Sequence, residues 1–92
     1  MGPDAMWEKF GADFIADEKA FVMGIDHRLT DHIARRFRER IVLETCTRGG
    51  FSTIALARYA QHAISVEIEP ARVEQARHNA ELAGVTGSAI FA

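Results

Sequence analysis

Two carboxylates and a pair of glycines are the residues of this chain best spaced for chemistry. Glu44 ends a short apolar run, Ile41–Val42–Leu43, and Glu67 lies near the end of a second run that begins at Ala63. Between the two, Gly49 and Gly50 precede a helix-like segment that opens at Ser52. An acid ends a strand that reads as buried on both faces. A turn of small residues then lets backbone pass close to a ligand, and a helix start offers unpaired N–H groups. Together these describe the entry half of a nucleotide-binding βα unit. Spacing narrows the choice of ligand. A phosphate-cradling loop needs G-x-x-x-x-G-K-[ST], and no Gly-Lys-Ser/Thr occurs. A dinucleotide fingerprint needs G-x-G-x-x-G, and the stretch Cys46-Thr47-Arg48-Gly49-Gly50-Phe51-Ser52-Thr53 keeps only a Gly-Gly pair. An NAD-binding domain is therefore disfavoured.

S-adenosyl-L-methionine (SAM) carries no phosphate and needs no pyrophosphate nest. Its methionine end has an ammonium, which a carboxylate at a strand end suits. It also has a carboxylate, which a turn of backbone N–H groups suits. Its ribose diol suits a second acid at the end of the next strand. Glu67 follows Glu44 by roughly twenty residues, the separation of a ribose-binding acid in a βαβ unit. A carboxylate there can accept both ribose hydroxyls at once.

The elements that must hold these groups are legible as a pattern. Ala63–Glu69 reads as a strand. Pro70 opens a helix that runs to Ala83, with Val73, Ala76, Ala80 and Ala83 on one narrow inner face and Gly84 as its C-cap. Arg72, Glu74, Arg77, His78 and Glu81 fall on its solvated side. Ser88–Ala92 begins a third strand. Ahead of Ile41 the chain reads as helical. Trp7, Phe10 and Phe14 recur at three- to four-residue spacing, interrupted by Gly11. A second helical piece holds Phe21, Val22 and Met23 and ends at Gly24. A third runs from Asp26 or Thr30 to Arg40, with Leu29, Ile33 and Phe37 on one face.

The segment VLETCTRGG, followed by ISVEIEPARVEQARHNAELAGV, resembles the first half of a class I SAM-dependent methyltransferase. Within that class it is most similar to the RNA cap guanine-N2 methyltransferases, the trimethylguanosine synthase group. The matching residues are Glu44, Cys46, Gly49–Gly50, Ile68 with Glu67 and Glu69–Pro70, and Ala76–Arg77–His78–Asn79–Ala80. The resemblance implies an α/β, Rossmann-like class I methyltransferase fold, with a truncated parallel sheet of about three strands and N-terminal helices. Residues 1–40 would pack on the sheet, and residues 41–92 would form the first βαβαβ part of the SAM-binding domain. It implies SAM as cofactor, held by Glu44, Thr45, Cys46, Gly49, Gly50, Glu67 and Ile68. Glu44 would take the ammonium, Glu67 the ribose, and Ile68 would pack on the adenine. It also sets Thr30 near the methionine end, whereas the residues alone read Thr30 as a helix N-cap. Arg48 stands where the family has glycine. Either the turn takes another path, the pocket is partly closed, the guanidinium pairs with the cofactor carboxylate, or the side chain points to solvent.

The family's catalytic Asn/Asp-Pro-Pro-aromatic turn has no counterpart, since the prolines are Pro3 and Pro70. No catalytic residue is expected in this stretch. By resemblance, the methyl acceptor would be RNA guanine. The rival reading is a truncated, non-enzymatic Rossmann-like module that self-associates and binds no cofactor tightly. An open sheet edge invites a second copy, so a homo-oligomer is expected in either case.

Composition bounds the rest. Hydrophobic residues make up 48% and charged residues 26%, which excludes a disordered chain. A net charge of −2 gives no global pull toward nucleic acid. Arg35, Arg36, Arg38 and Arg40 read first as a solvated helix end and second as an RNA phosphate contact. His27, His32, His62 and His78 share no ligand spacing with one another or with Cys46, so no metal site is expected. Cys46 is the only cysteine and cannot form an internal disulfide, which suits a reducing, cytoplasmic compartment. No apolar run approaches membrane-spanning length.

Overall fold

Three strands, β1 (Ile41–Thr45), β2 (His62–Val66) and β3 (Ala89–Phe91), pair in parallel in the order β1-β2-β3. The computed structural model describes residues 3–45 and 49–92. The expectations for Cys46 and Arg48 therefore lie outside the described residues. Parallel neighbours cannot be joined by hairpins, so helices α4 (Phe51–Ala57) and α5 (Pro70–Ala83) make the crossings. Both crossings step the same way along the sheet. Right-handed connection then puts both helices on one face.

That rule divides the strand residues. Val42 pairs with Ala63 and Ala63 with Ala89, while Glu44 pairs with Ser65 and Ser65 with Phe91. This row faces the helices, and Ala63 and Ser65 are completely buried. The alternate row is bare. Ile41 is 65% exposed and Leu43 70%, with Val66 and Ile90 also open. The expectation that the first strand is buried on both faces is corrected here. Its apolar run is double-sided, but among the described residues helices cover one side only.

Ahead of β1 lie α1 (Pro3–Phe10), α2 (Glu18–Met23), α3 (His27–Ala34) and a short 3-10 turn, Arg35–Phe37. Helix α1 stops at Phe10 because Gly11 turns left-handed at φ +68°, its N–H donating to Trp7 O at 2.9 Å. Phe14 follows outside the helix yet is buried. The Phe10 and Phe51 rings stack with centroids 3.8 Å apart, and Phe14 lies 5.8 Å from Phe51. These aromatics seat the N-terminal segment on the start of α4. They join Met6, Ala20, Ile54, Ala57, Ala63, Ala76, Ala80, Ala89 and Phe91 in one core.

The third helix ends earlier than the expected Arg40. Glu39 takes φ +62°, Glu39 N donates to Tyr59 O at 3.1 Å, and Arg40 O accepts from Gln61 N at 2.8 Å. The chain must reverse there to enter β1 in register with β2. The apolar face Leu29–Ile33–Phe37 is largely exposed, and Thr30 with Ala34 makes the buried contact. Helix α5 matches its expected bounds, with Pro70 at its start and Gly84 left-handed at φ 72° at its end. Its buried residues are Ala76, Asn79 and Ala80.

Candidate functional site

The two acids stand at the carboxyl ends of adjacent parallel strands. Glu44 is the fourth residue of β1 and pairs in register with Ser65. Glu67 lies two positions past Ser65, about 7 Å further along the strand direction, and its alternation falls on the same helix-covered face. This end of an open α/β sheet is where such folds bind ligands.

Glu44 is half-buried. Burial pushes its carboxyl above the ordinary value of 4.5, opposed by a hydrogen bond from Thr53. The Thr53 hydroxyl donates to Oε2 at 3.1 Å. Thr53 is itself fully buried, on the third residue of α4. A carboxylate short of solvent, with one hydroxyl donor, is a good receptor for a cation. Beside it opens a mostly apolar cavity of about 250 Å³, with Thr30, Val42, Glu44, Ser52 and Leu56 in its wall. Ile25, Ile33, Phe37 and Leu43 also line it and are themselves exposed.

Thr30 is therefore brought beside Glu44, on the wall of the same cavity. The N-cap reading of Thr30 is overturned, because Asp26 caps α3 by accepting from Arg28 N at 2.9 Å. The Thr30 hydroxyl donates to His27 O at 3.2 Å within the helix.

Glu67 has a nearly buried side chain. Its Oε2 accepts from Glu69 N at 2.9 Å, and Arg72 Nη1 stands 4.0 Å from Oε1. The carboxylate is thus pinned at the turn into α5, and any hydroxyl it bound would share it with those donors. Ile68 is 89% exposed on the rim, free to pack against a flat group. Thr45 is exposed at the end of β1, and strand alternation turns it to the bare face, away from Glu44.

Both glycines are buried, for reasons that lie in the core. A Cβ on Gly49 would meet the Phe51 ring at 2.5 Å. Gly50 caps α4 at φ 82°, and a Cβ there would come within 2.9 Å of Ala76 Cβ. The sequence reading gave both glycines to a ligand. Gly50 is required at least as much by the close approach of α5.

Two residues of this region escaped the sequence reading as functional groups. Thr53 holds Glu44, and Asn79 ties the glycine turn to the N-terminal segment through hydrogen bonds to Gly49 and Ile15. A polar residue amid the alanines of the inner face of α5 was the available signal for Asn79.

The arginines sit elsewhere. Arg35 pairs with Asp31 at 3.0 Å, and the Arg35 and Arg38 guanidiniums stand 5.8 and 5.4 Å from the Tyr59 ring centre. This cluster flanks the amino end of β1, the opposite end of the sheet from Glu44 and Glu67. Among the described residues no group of three His, Cys, Asp or Glu side chains could hold a metal ion. No described helix is long and apolar enough to cross a membrane.

A parallel sheet with its acids at the carboxyl ends, crossed by helices on one face, has the Rossmann-like fold of class I methyltransferases. Solved structures bear this out, while no family model matches the chain. Cofactor-bound Rv0187 from MTB is 28% identical over 83% of this chain and 44% of its own, with a TM-score of 0.69. The O-methyltransferase TomG from Streptomyces achromogenes, in complex with SAM, is 31% identical over 70% of this chain and 30% of its own, with a TM-score of 0.62. The 23S rRNA methyltransferase ErmE is 26% identical over 86% of this chain and 29% of its own, with a TM-score of 0.56. The chain spans less than half the length of these proteins.

Proposed function

We propose that this chain is the cofactor-holding part of a SAM-dependent methyltransferase. The observation that carries the reading is the pair of acids on one face at the carboxyl ends of neighbouring parallel strands, one of them a desolvated carboxylate on a cavity wall. The donor set suits SAM. Glu44 offers its anion to the ammonium, with Thr30 and Ser52 on the same wall. Glu67 accepts from the ribose hydroxyls and Ile68 covers the adenine. Gly49 and Gly50 shape the turn. The likeness to TomG, which its structure holds with SAM, supports this assignment.

SAM supplies an activated methyl group. What these residues contribute is orientation of its donor end, which in a direct displacement carries much of the rate. The chain's residues 1–40 act as the helical cover and 41–92 as the binding unit. RNA guanine is our proposed acceptor, supported by the cap-methyltransferase resemblance and by the likeness to an rRNA methyltransferase. The arginine cluster lies at the far end of the sheet from the two acids, so it is not part of the cofactor site. A reducing, cytoplasmic setting accords with the single cysteine.

The bare apolar face favours a second reading, a module that associates with its own copy and binds cofactor weakly. Calorimetric titration with SAM and with S-adenosylhomocysteine separates the two. We expect micromolar binding by the chain and its loss in Glu67→Ala. A folded sample that gives no heat with either ligand would refute the cofactor reading.

A further inference from the structure

We infer that Asn79 is a positioning residue that joins the N-terminal segment to the glycine turn, so that seating of the segment and occupancy of the turn are coupled. The ligand half of this inference rests on the cofactor reading above. Asn79 is completely buried on α5. Its Oδ1 accepts from Ile15 N at 2.7 Å, and its Nδ2 donates to Ile15 O at 2.8 Å. An amide that both accepts from and donates to one residue's backbone stands in for a strand partner. The remaining Nδ2 proton goes to Gly49 O at 2.9 Å. Three of the four bonds open to an asparagine are thus made across 64 and 30 residues of sequence.

The chain neighbours of these two partners also meet. Phe14, next to Ile15, packs on Phe51, the residue after Gly50. One turn back on α5, Ala76 lies against Gly50. Segment, turn and helix therefore close a loop of contacts in which the turn cannot shift without breaking a buried hydrogen bond. A buried amide left unpaired is costly, so intermediate positions are disfavoured and the unit behaves as a two-state element. Whatever holds the turn then favours the seated segment, and the reverse holds by linkage.

Hydrogen exchange of the whole chain, read amide by amide, tests this. The Ile54 amide donates to Gly50 O at 2.8 Å and so reports the turn. Ile15→Pro removes the donor to Asn79 at a residue that is itself 45% exposed, and Asn79→Ala removes the acceptor without constraining the backbone of Phe14. We expect Ile54 exchange to rise about five- to tenfold in Ile15→Pro, the effect of one amide hydrogen bond of ordinary net strength. The Ala63 amide, bonded to Ser88 O, should keep its rate. Unchanged Ile54 exchange would overturn the coupling, because a bond with only a local role would not reach the turn. Asn79→Ala should speed exchange at Ile15 and Ile54 together. Saturating S-adenosylhomocysteine should slow the Ile15 amide in the native chain and not in Asn79→Ala. Binding that leaves Ile15 unaffected would also overturn the coupling. If the native chain binds no ligand, it is the cofactor reading that fails, and the ligand-free comparison still decides whether segment and turn are linked.

Discussion

Gly50→Ala should be among the most damaging single substitutions in this domain, and Gly84→Ala shows why. Both glycines are left-handed helix-end residues, at φ +82° and +72°. Any L-residue in that region costs about 1–2 kcal/mol. At Gly84 nothing lies within 4 Å of a new Cβ, so that backbone cost is the whole effect. At Gly50 the Cβ would stand 2.9 Å from Ala76 Cβ and 3.2 Å from Ala76 Cα, the latter a backbone atom that cannot swing aside. Overpacking of that kind adds about 1–3 kcal/mol. The sum, about 2–5 kcal/mol, is a large fraction of the roughly 5–14 kcal/mol typical of a domain this size. Urea unfolding of the two variants beside the native chain measures the difference. In thermal melts each kcal/mol should lower Tm by about 4–8 °C. Equal losses in Gly50→Ala and Gly84→Ala would refute the argument, because the contact with Ala76 would then be worth nothing.

Glu44→Gln separates stability from binding. Burial raises the Glu44 carboxyl above its ordinary value, so the folded chain holds that proton more tightly than the unfolded chain. As pH rises from the unfolded value through the raised folded one, ionisation of Glu44 progressively destabilises the fold. The glutamine variant should therefore match the native chain in acid and exceed it in denaturant midpoint at neutral pH, while losing SAM affinity. A native chain more stable than the variant at neutral pH would contradict the desolvated-anion account. In the native chain, SAM affinity should tighten with rising pH over the same window, seen by calorimetry in buffers of different ionisation heat. Leu43→Glu places a charge on the bare sheet face, where Leu43 is 70% exposed. It should change stability by no more than about 0.5 kcal/mol and abolish any self-association seen in sedimentation. A native chain that sediments as a monomer at every concentration would remove that face as a self-contact.

The strand–turn–helix around Glu44 and the helix from Pro70 to Gly84 could be read from the sequence because their signals are local. An apolar run ending in an acid, a glycine pair, a proline start and a left-handed glycine stop each act within a few residues. Glu67 was legible for the same reason, as a strand-end acid at a known separation. The identity of the donor to Glu44 was not, since Thr53 reaches it only through the rotation of α4 about its axis. Nor was the partner of Asn79, because Ile15 lies 64 residues away. Which face of α3 is buried was not legible, because Leu29, Ile33 and Phe37 have helical spacing whichever side the neighbouring elements occupy. Burial there is decided by where α4 lies, and it covers Thr30 and Ala34. The one-sidedness of the sheet is a property of crossing direction, which no residue pattern in β1 records.

Where helices meet sheet, alanine recurs among the buried side chains. Ala57, Ala63, Ala76, Ala80 and Ala89 are all buried there, and among the described residues Ile54 is the largest side chain that is completely enclosed. This inverts the usual direction of mutational hazard. Most cores are damaged by truncation, which leaves a void. At these alanines little remains to truncate, and an added methyl or ethyl group must push a helix off its strand. Replacing any of these alanines by a residue larger than serine should therefore destabilise the fold more than replacing it by glycine or serine.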